Sequence, residues 1–275
     1  LDHLNLALLL VKPFLPNNTL LFLRECNLTS SNLENGFKNV AFRMLKKRLL
    51  KFADRIICPA NAIKNDLQIN FGISPDKMIT IYNPVQVEEI RSHMPPHHPG
   101  KPSSVYNIVA AGTLEYRKGF DLLIDVMSII VEENHKVHLT LLGDGPEKEN
   151  LRKQIHSLNL SYHVRLAGYQ INPFAYFSKA DLFVLSSRYE GLPNAMLESL
   201  ACGTPVVAFN CPGGIDEIIV DELQGALVPE NDVHALSKAI EKQMRSHRHA
   251  KGSLLPDKFD AKAVVPAYEK LALSE

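Results

Sequence analysis

Short β-branched and aliphatic runs alternate along the chain with longer stretches whose apolar positions recur every three to four residues. That alternation predicts βαβ units and parallel sheets. In the first part, residues 20–23, 55–58 and 78–82 read as buried strands. Between them, residues 37–52 put Phe37, Val40, Ala41, Met44, Leu45, Leu49 and Phe52 on one helical face, and residues 60–71 predict another helix. Asn83-Pro84 ends that series. A second series predicts strands over 106–111, 137–142, 163–167, 182–186, 204–208 and 225–228. Its helices fall over 119–133, 146–157, 173–178, 193–201, 214–220 and 231–244, with one more over 258–273 after Pro256-Asp257.

The stretch SHMPPHHPGKPSS, residues 92–104, separates the two series and reads as a linker. Its three histidines would suit a metal site, but prolines divide them and no cysteine or acidic ligand stands near, so a solvated linker is the reading adopted. The pattern thus divides the chain into an α/β body over 1–92, a second over 104–256, and a helix over 257–275. Three strands are few for a doubly wound sheet, and the chain opens with Leu1. The expectation is that the first body lacks its opening strands.

Composition narrows the class. The 275 residues are 45% hydrophobic and 22% charged, enough for two cores. Formal net charge is zero, which gives no footprint for nucleic acid. Residues 1–100 carry 12 Lys+Arg against 8 Asp+Glu and the remainder 18 against 22, so the first part is +4 and the second −4. Cys26, Cys58, Cys202 and Cys211 are scattered and form no C-x-x-C pair, which reads as reduced cysteine in a cytoplasmic protein. In that setting the N-x-[ST] matches at Asn17, Asn27 and Asn159 read as chance. No apolar run has transmembrane length, and no signal-peptide pattern is visible.

The chemistry concentrates at strand-to-helix turns of the second series. In open parallel sheets, ligands bind outside the carboxyl ends of strands. One such turn runs from Ala111 through Gly112, Thr113, Arg117 and Lys118 to Gly119; another is Gly143-Asp144-Gly145-Pro146; a third runs from Ser186 to Asn194. In the third, Glu190 precedes a helix that Pro193 suits at its first turn, and Glu198 falls inside that helix. A helix N-terminus holds anions, and a carboxylate accepts from adjacent sugar hydroxyls. Phosphates at the helix tip with a carboxylate on either side would fit a nucleotide-sugar. The plainer alternative is a dipole-complementing acid followed by a solvated one. Lys118-Gly119 puts a cation where a diphosphate would lie; a solvated lysine is the plainer alternative. Gly143-x-Gly145 has Lys148 at the third position of a dinucleotide fingerprint, so it reads as a tight turn, and a dehydrogenase is set aside.

Together, SSRYEGLPNAMLESLACGTPVVAFNCPGGIDEII, AAGTLEYRKGFDLLI and ADRIICPANAIKNDLQINFGISPDKMITIYNPV resemble the retaining family-4 glycosyltransferases, over essentially the whole chain. The resemblance implies the GT-B fold, two Rossmann-like α/β domains, with the final helix crossing back to the N-terminal one. It implies Glu190 on donor-sugar hydroxyls and Glu198 on the ribose, spaced as the family's E-x7-E. It implies Lys118 on the diphosphate, the backbone at Gly191, Leu192, Pro193 and Asn194 facing sugar and phosphate, and Gly168 and Tyr169 bordering the base. Glu190 and Lys118 would carry the catalysis. The family needs no metal and no cofactor; the donor expected is a UDP-sugar, with guanine the alternative base and the sugar left open. Thr113 stands where the family often has arginine after Gly112, with Arg117 as the nearby substitute. Where many members have a histidine after a middle strand of the first domain, LLFLRECN offers Arg24, Glu25 and Asn27 toward the acceptor. His3 is a poor substitute, on an opening helix.

The function expected is transfer of a sugar from a nucleoside diphosphate to a hydroxyl of a glycan or lipid-linked saccharide, with retention. The alternative is a catalytically inactive nucleotide-sugar-binding or scaffold protein. The basic run RMLKKRLLK, residues 43–51, is either the solvated face of a packed helix or a contact with anionic lipid on the inner face of a membrane.

Overall fold

The computed structural model describes residues 2–16, 18–28, 30, 37–95, 105–133, 136–246 and 252–273. The first body comprises α1 (Asp2–Val11), β1 (Phe22–Arg24), α2 (Phe37–Leu49), β2 (Arg55–Cys58), α3 (Asn61–Phe71), β3 (Met78–Thr80) and α4 (Val87–Ser92). Its strands form a parallel sheet in the order β1-β2-β3, with Ile56 opposite both Leu23 and Met78. Neighbouring strand residues point to opposite faces. Ile56 and Cys58 join the main core, while Ile57 faces a separate apolar cluster.

The second body comprises β4 (Tyr106–Ala111), α5 (Phe120–Glu133), β5 (Val137–Leu142), α6 (Lys148–Ser157), β6 (Val164–Gly168), α7 (Phe174–Phe177), β7 (Leu182–Leu185), α8 (Asn194–Ala201), β8 (Val206–Phe209), β9 (Gly225–Val228) and α9 (Val233–Ser246). Its parallel strands lie in the order β6-β5-β4-β7-β8-β9, the winding of a dinucleotide-binding sheet. The direction of winding reverses between β4 and β7, and the crevice at that switch is where such sheets bind ligands. α5 buries Phe120, Leu123, Ile124, Met127 and Ile130 at helical spacing, which fixes the turn before it against the sheet.

α10 (Ala261–Leu273) returns to the first body. Its Val264 and Leu271 bury against Ile57 and Ile81. Its approach is set by Val85, which donates to Phe259 O and accepts from the Ala261 N–H, both at 2.9 Å.

The structure departs from the sequence reading in three places. Residues 214–220 form a turn rather than a helix. Ile215 and Ile218 are both buried, and that spacing of three is what imitates a helical face. α4 follows Asn83-Pro84, where the sequence signalled only an end. From residue 42 on, where side chains are described, the apolar stripe over 37–52 does not form the buried face: Met44 is 69% and Phe52 59% exposed, whereas Lys46 is fully buried. Its ammonium lies 2.6 Å from Glu25 Oε2, so the need to neutralise a buried carboxylate sets the rotation of α2. Much of the predicted linker, 96–104, lies outside the described residues, as do His97 and His98, while His93 Nδ1 sits 2.8 Å from Glu89 O.

Candidate functional site

The turns after β4 and β7 are locked together at the switch point. Gly119 adopts φ +60°, and a Cβ there would lie 2.0 Å from Ser186 O, so only glycine lets the β7 turn approach Lys118 this closely. Ser186 Oγ donates to Lys118 O at 3.0 Å and the Arg188 N–H to Arg117 O at 2.8 Å. The Arg188 guanidinium makes a two-pronged contact with Asp121, at 2.9 and 2.6 Å, and lies over the Tyr116 ring. Burial raises the Asp121 pKa, but Arg188 outweighs it and holds the carboxyl below its ordinary value.

That frame brings two cations onto one carboxylate. Glu190, 5% exposed, accepts from Lys118 Nζ at 2.6 Å and Ser187 Oγ at 2.6 Å on Oε1, and from Arg117 Nη1 at 2.8 Å on Oε2. Arg117 also pairs with Glu115 at 2.9 Å. Burial disfavours the Arg117 charge, yet the two carboxylates raise its pKa above the ordinary arginine value. Lys118 and Arg117 are therefore held ready but already neutralised. A bound diphosphate would compete with Glu190 for them and free its oxygens for a neutral hydroxyl.

α8 carries the second carboxylate. Met196, Leu197, Leu200 and Ala201 bury one face, which leaves Asn194 and Glu198, four residues apart, on the face that borders a cleft of about 740 Å³ between the two bodies. Burial pushes the Glu198 carboxyl above its ordinary value. Arg24, Asn27 and Asn83 line the opposite wall. Arg24 donates to the Asn83 side chain, which in turn donates to Asn194 Oδ1 across the cleft. The backbone of Gly191 abuts the first body so closely that a Cβ there would lie 1.9 Å from Cys26 O.

The remaining candidates divide clearly. Leu192 lines the cleft, and Pro193 stands one position before α8, as its cap. Lys118 lies over Gly112, where a Cβ would come 3.0 Å from Lys118 Cε. Thr113 is exposed and its carbonyl accepts from the Glu115 N–H at 2.8 Å. Gly168 O accepts from the Gly143 N–H; Tyr169 is 76% exposed, and the residues after it, Ile171 and Asn172, border the cleft. Glu25 is corrected: its side chain is fully buried against Lys46 and Asn5, so it supports β1 and cannot meet an acceptor. Lys46 is likewise removed from the basic surface.

Sequence reasoning passed over Ser187, Arg188, Asp121 and Asn83. Ser187 and Arg188 stand inside the quoted motif and could have been taken with Glu190. Asn83 enters through the chain before α4, and no spacing signals it.

A parallel sheet wound in the dinucleotide-binding order, facing a second parallel sheet across a cleft with cations and carboxylates at its switch point, has the architecture of the two-domain GT-B glycosyltransferases. The chain belongs to the glycosyl transferases group 1 family, whose model matches residues 97–252, and the model described as Glycosyltransferase Family 4 matches residues 22–89. A Campylobacter jejuni relative is 28% identical over 94% of this chain and 68% of its own length. It is named N-acetylgalactosamine-N,N'-diacetylbacillosaminyl-diphospho-undecaprenol 4-alpha-N-acetylgalactosaminyltransferase. The Rhizobium meliloti lipopolysaccharide core biosynthesis glycosyltransferase LpsE is 33% identical over 63% of this chain. The chain spans 52% of LpsE's length. Among solved structures, Anabaena Alr3699/HepE in complex with UDP-glucose superposes with a TM-score of 0.82 at 19% identity, covering 100% of this chain and 77% of that one. At that identity the likeness speaks for the fold.

Proposed function

We propose that the protein transfers a sugar from a uridine-diphosphate donor to a hydroxyl of a glycan or lipid-linked saccharide, with retention of configuration and without a divalent cation. The observation that carries this reading is the Glu190–Lys118–Arg117 cluster at the sheet's switch point, with Glu198 in the adjoining cleft. On this reading, Lys118 and Arg117 pass from Glu190 to the diphosphate, and the N-terminal end of α8 adds its dipole to theirs. Charge on the leaving diphosphate then meets preorganised cations, the largest single contribution such a site makes. Glu190, released, accepts from hydroxyls of the sugar, and Glu198 accepts from the ribose.

UDP and UDP-glucose in the HepE structures support the choice of base, and the diphospho-undecaprenol in the Campylobacter relative's name supports a lipid-linked acceptor. The test is a screen of nucleotide-sugars against lipid-linked and soluble saccharides, read as a mass increase of one sugar, with and without chelator. Nucleotide binding with no transfer to any acceptor would instead mark a binding or scaffold protein. A product of inverted anomeric configuration, or transfer abolished by chelator and restored by manganese, would contradict the mechanism.

Contact with an anionic membrane, at the cytoplasmic face, belongs to the same proposal. No described helix is long and apolar enough to cross a membrane. Leu4, Leu10, Val11 and Phe14 are exposed on and after α1, next to α2, which exposes Met44 and Leu45 beside Lys47 and Arg48. With Lys51, the basic residues offer about 1 kcal/mol each toward anionic headgroups. Changing Lys47, Arg48 and Lys51 to Gln should abolish flotation with anionic liposomes. Equal flotation of parent and variant would remove the membrane from the account.

A further inference from the structure

The segment after β8 touches both bodies. On one side it is stitched to the donor-side turn: the Glu190 N–H donates to Pro212 O at 2.9 Å and the Gly214 N–H to Gly191 O at 2.8 Å. Gly213 packs on the same turn, where a Cβ would lie 2.4 Å from Glu190 O. Ile215 and Ile218, fully buried, anchor the segment in the core of the second body. On the other side it delivers one carboxylate to the first body. Glu217 Oε1 accepts from the Ala62 N–H at 3.1 Å, in the first turn of α3. Glu217 Oε2 accepts from Asn61 Nδ2 at 2.8 Å and from Tyr82 Oη at 2.9 Å.

Each of these contacts suits an anion. First-turn N–H groups of a helix lack intrahelical partners, and the positive end of α3 favours a carboxylate. The side chain at the position before α3 is Ala60, which makes no capping bond, so the cap comes from the other body. Asn61 is held from behind by Thr80 Oγ1, which donates to Asn61 Oδ1 at 2.8 Å. Burial raises the Tyr82 hydroxyl pKa, and the Glu217 carboxylate raises it further, to about 12, so the hydroxyl remains a donor throughout the neutral range.

We infer that Glu217 is a positioning residue for transfer: it caps α3 of the first body from the segment stitched to the Glu190 turn, and so fixes the first body against the donor-side turn. The inference rests on the proposed transfer only for its kinetic consequence. The latch itself is a property of the unliganded protein. Both Glu217 oxygens are engaged by Asn61, Ala62 and Tyr82 of the first body, so its loss should act on turnover and leave nucleotide affinity in place.

The test compares the full chain with Glu217→Ala, Glu217→Gln and Tyr82→Phe, at matched melting temperatures. Amide exchange of the α3 first turn is followed without ligand, UDP binding by calorimetry, and turnover with UDP-glucose or whichever donor the screen identifies. In Glu217→Ala, exchange at Ala62 should quicken by about tenfold or more, the scale of one hydrogen bond to a charged group. Turnover should fall by at least ~10-fold while UDP affinity stays within ~2-fold, because the loss falls on the transition state rather than on ground-state binding. Glu217→Gln, which keeps an acceptor for Ala62, should recover most of the turnover, and Tyr82→Phe should lie between. Unchanged exchange at Ala62 in Glu217→Ala overturns the latch. A fall in UDP affinity equal to the fall in turnover also overturns it, by placing Glu217 in donor binding. If the parent neither binds UDP nor turns over any donor, the transfer reading fails, and the exchange measurement alone decides the latch.

Discussion

Lys46 Nζ lies 2.6 Å from Glu25 Oε2, and neither side chain keeps any exposure to solvent. Asn5 Nδ2 donates to the other carboxylate oxygen at 2.7 Å, so α1 and α2 both converge on the residue that follows β1. Removing one partner strands a buried charge. Lys46→Met should therefore cost about 3–5 kcal/mol in urea unfolding, whereas Glu25→Leu with Lys46→Met should recover most of it. Lys47→Met, one position along and exposed, should stay within about 0.5 kcal/mol of the parent. A Lys46→Met variant as stable as the parent would show that the pair does not hold α2.

The same pair marks where the sequence was legible and where it was not. β4, β5 and β9 match their expected bounds to the residue, because short aliphatic and β-branched runs of strand length bounded by polar or turn residues mark a strand. The turn at Gly119 was legible because its positive φ and the approach of Ser186 O force glycine there, whereas Glu190 and Glu198 were singled out by their carboxylate chemistry and a family motif, not by backbone geometry. α2 was misread because its apolar count says nothing of Glu25, and only the fold reveals that a carboxylate needs Lys46. Residues 214–220 were misread because two buried isoleucines three apart satisfy a turn as well as a helix. Glu217 was invisible for a related reason: its partners Asn61, Ala62 and Tyr82 belong to the other body.

Gly191 makes the junction of the two bodies sensitive to a single methyl group. A Cβ there would stand 1.9 Å from Cys26 O, and backbone on both sides leaves no side chain to move aside. Gly191→Ala should open the junction, increase the radius of gyration in small-angle scattering, and reduce transfer by at least ~100-fold, the scale of a ~1 Å misplacement at a reacting centre. Full transfer by Gly191→Ala would mean that this close approach is not used in catalysis.

Glu198 gives the cleft a pH dependence with a definite sign. Burial raises its pKa above the ordinary 4.5, so the empty protein favours the protonated carboxyl. Its contribution to stability is complete below the unfolded value and is lost as pH rises through the raised native value. If ribose hydroxyls donate to the ionised form, as proposed, UDP affinity should weaken as pH is lowered through the window above 4.5, with proton release on binding. Glu198→Gln should remove that component and leave only the titration of UDP itself. Identical pH profiles for parent and Glu198→Gln would separate Glu198 from the nucleotide.

The central claim is that the switch-point cations and the α8 carboxylate together hold a nucleoside diphosphate. Calorimetric titration of the full chain with UDP at neutral pH tests it most directly, run beside Lys118→Ala and Glu198→Ala. The parent should bind UDP at one site. Each variant should bind at least ~10-fold more weakly, as expected for loss of a hydrogen bond that involves a charge. A parent that binds no UDP, or variants that bind it as tightly as the parent, would contradict the account.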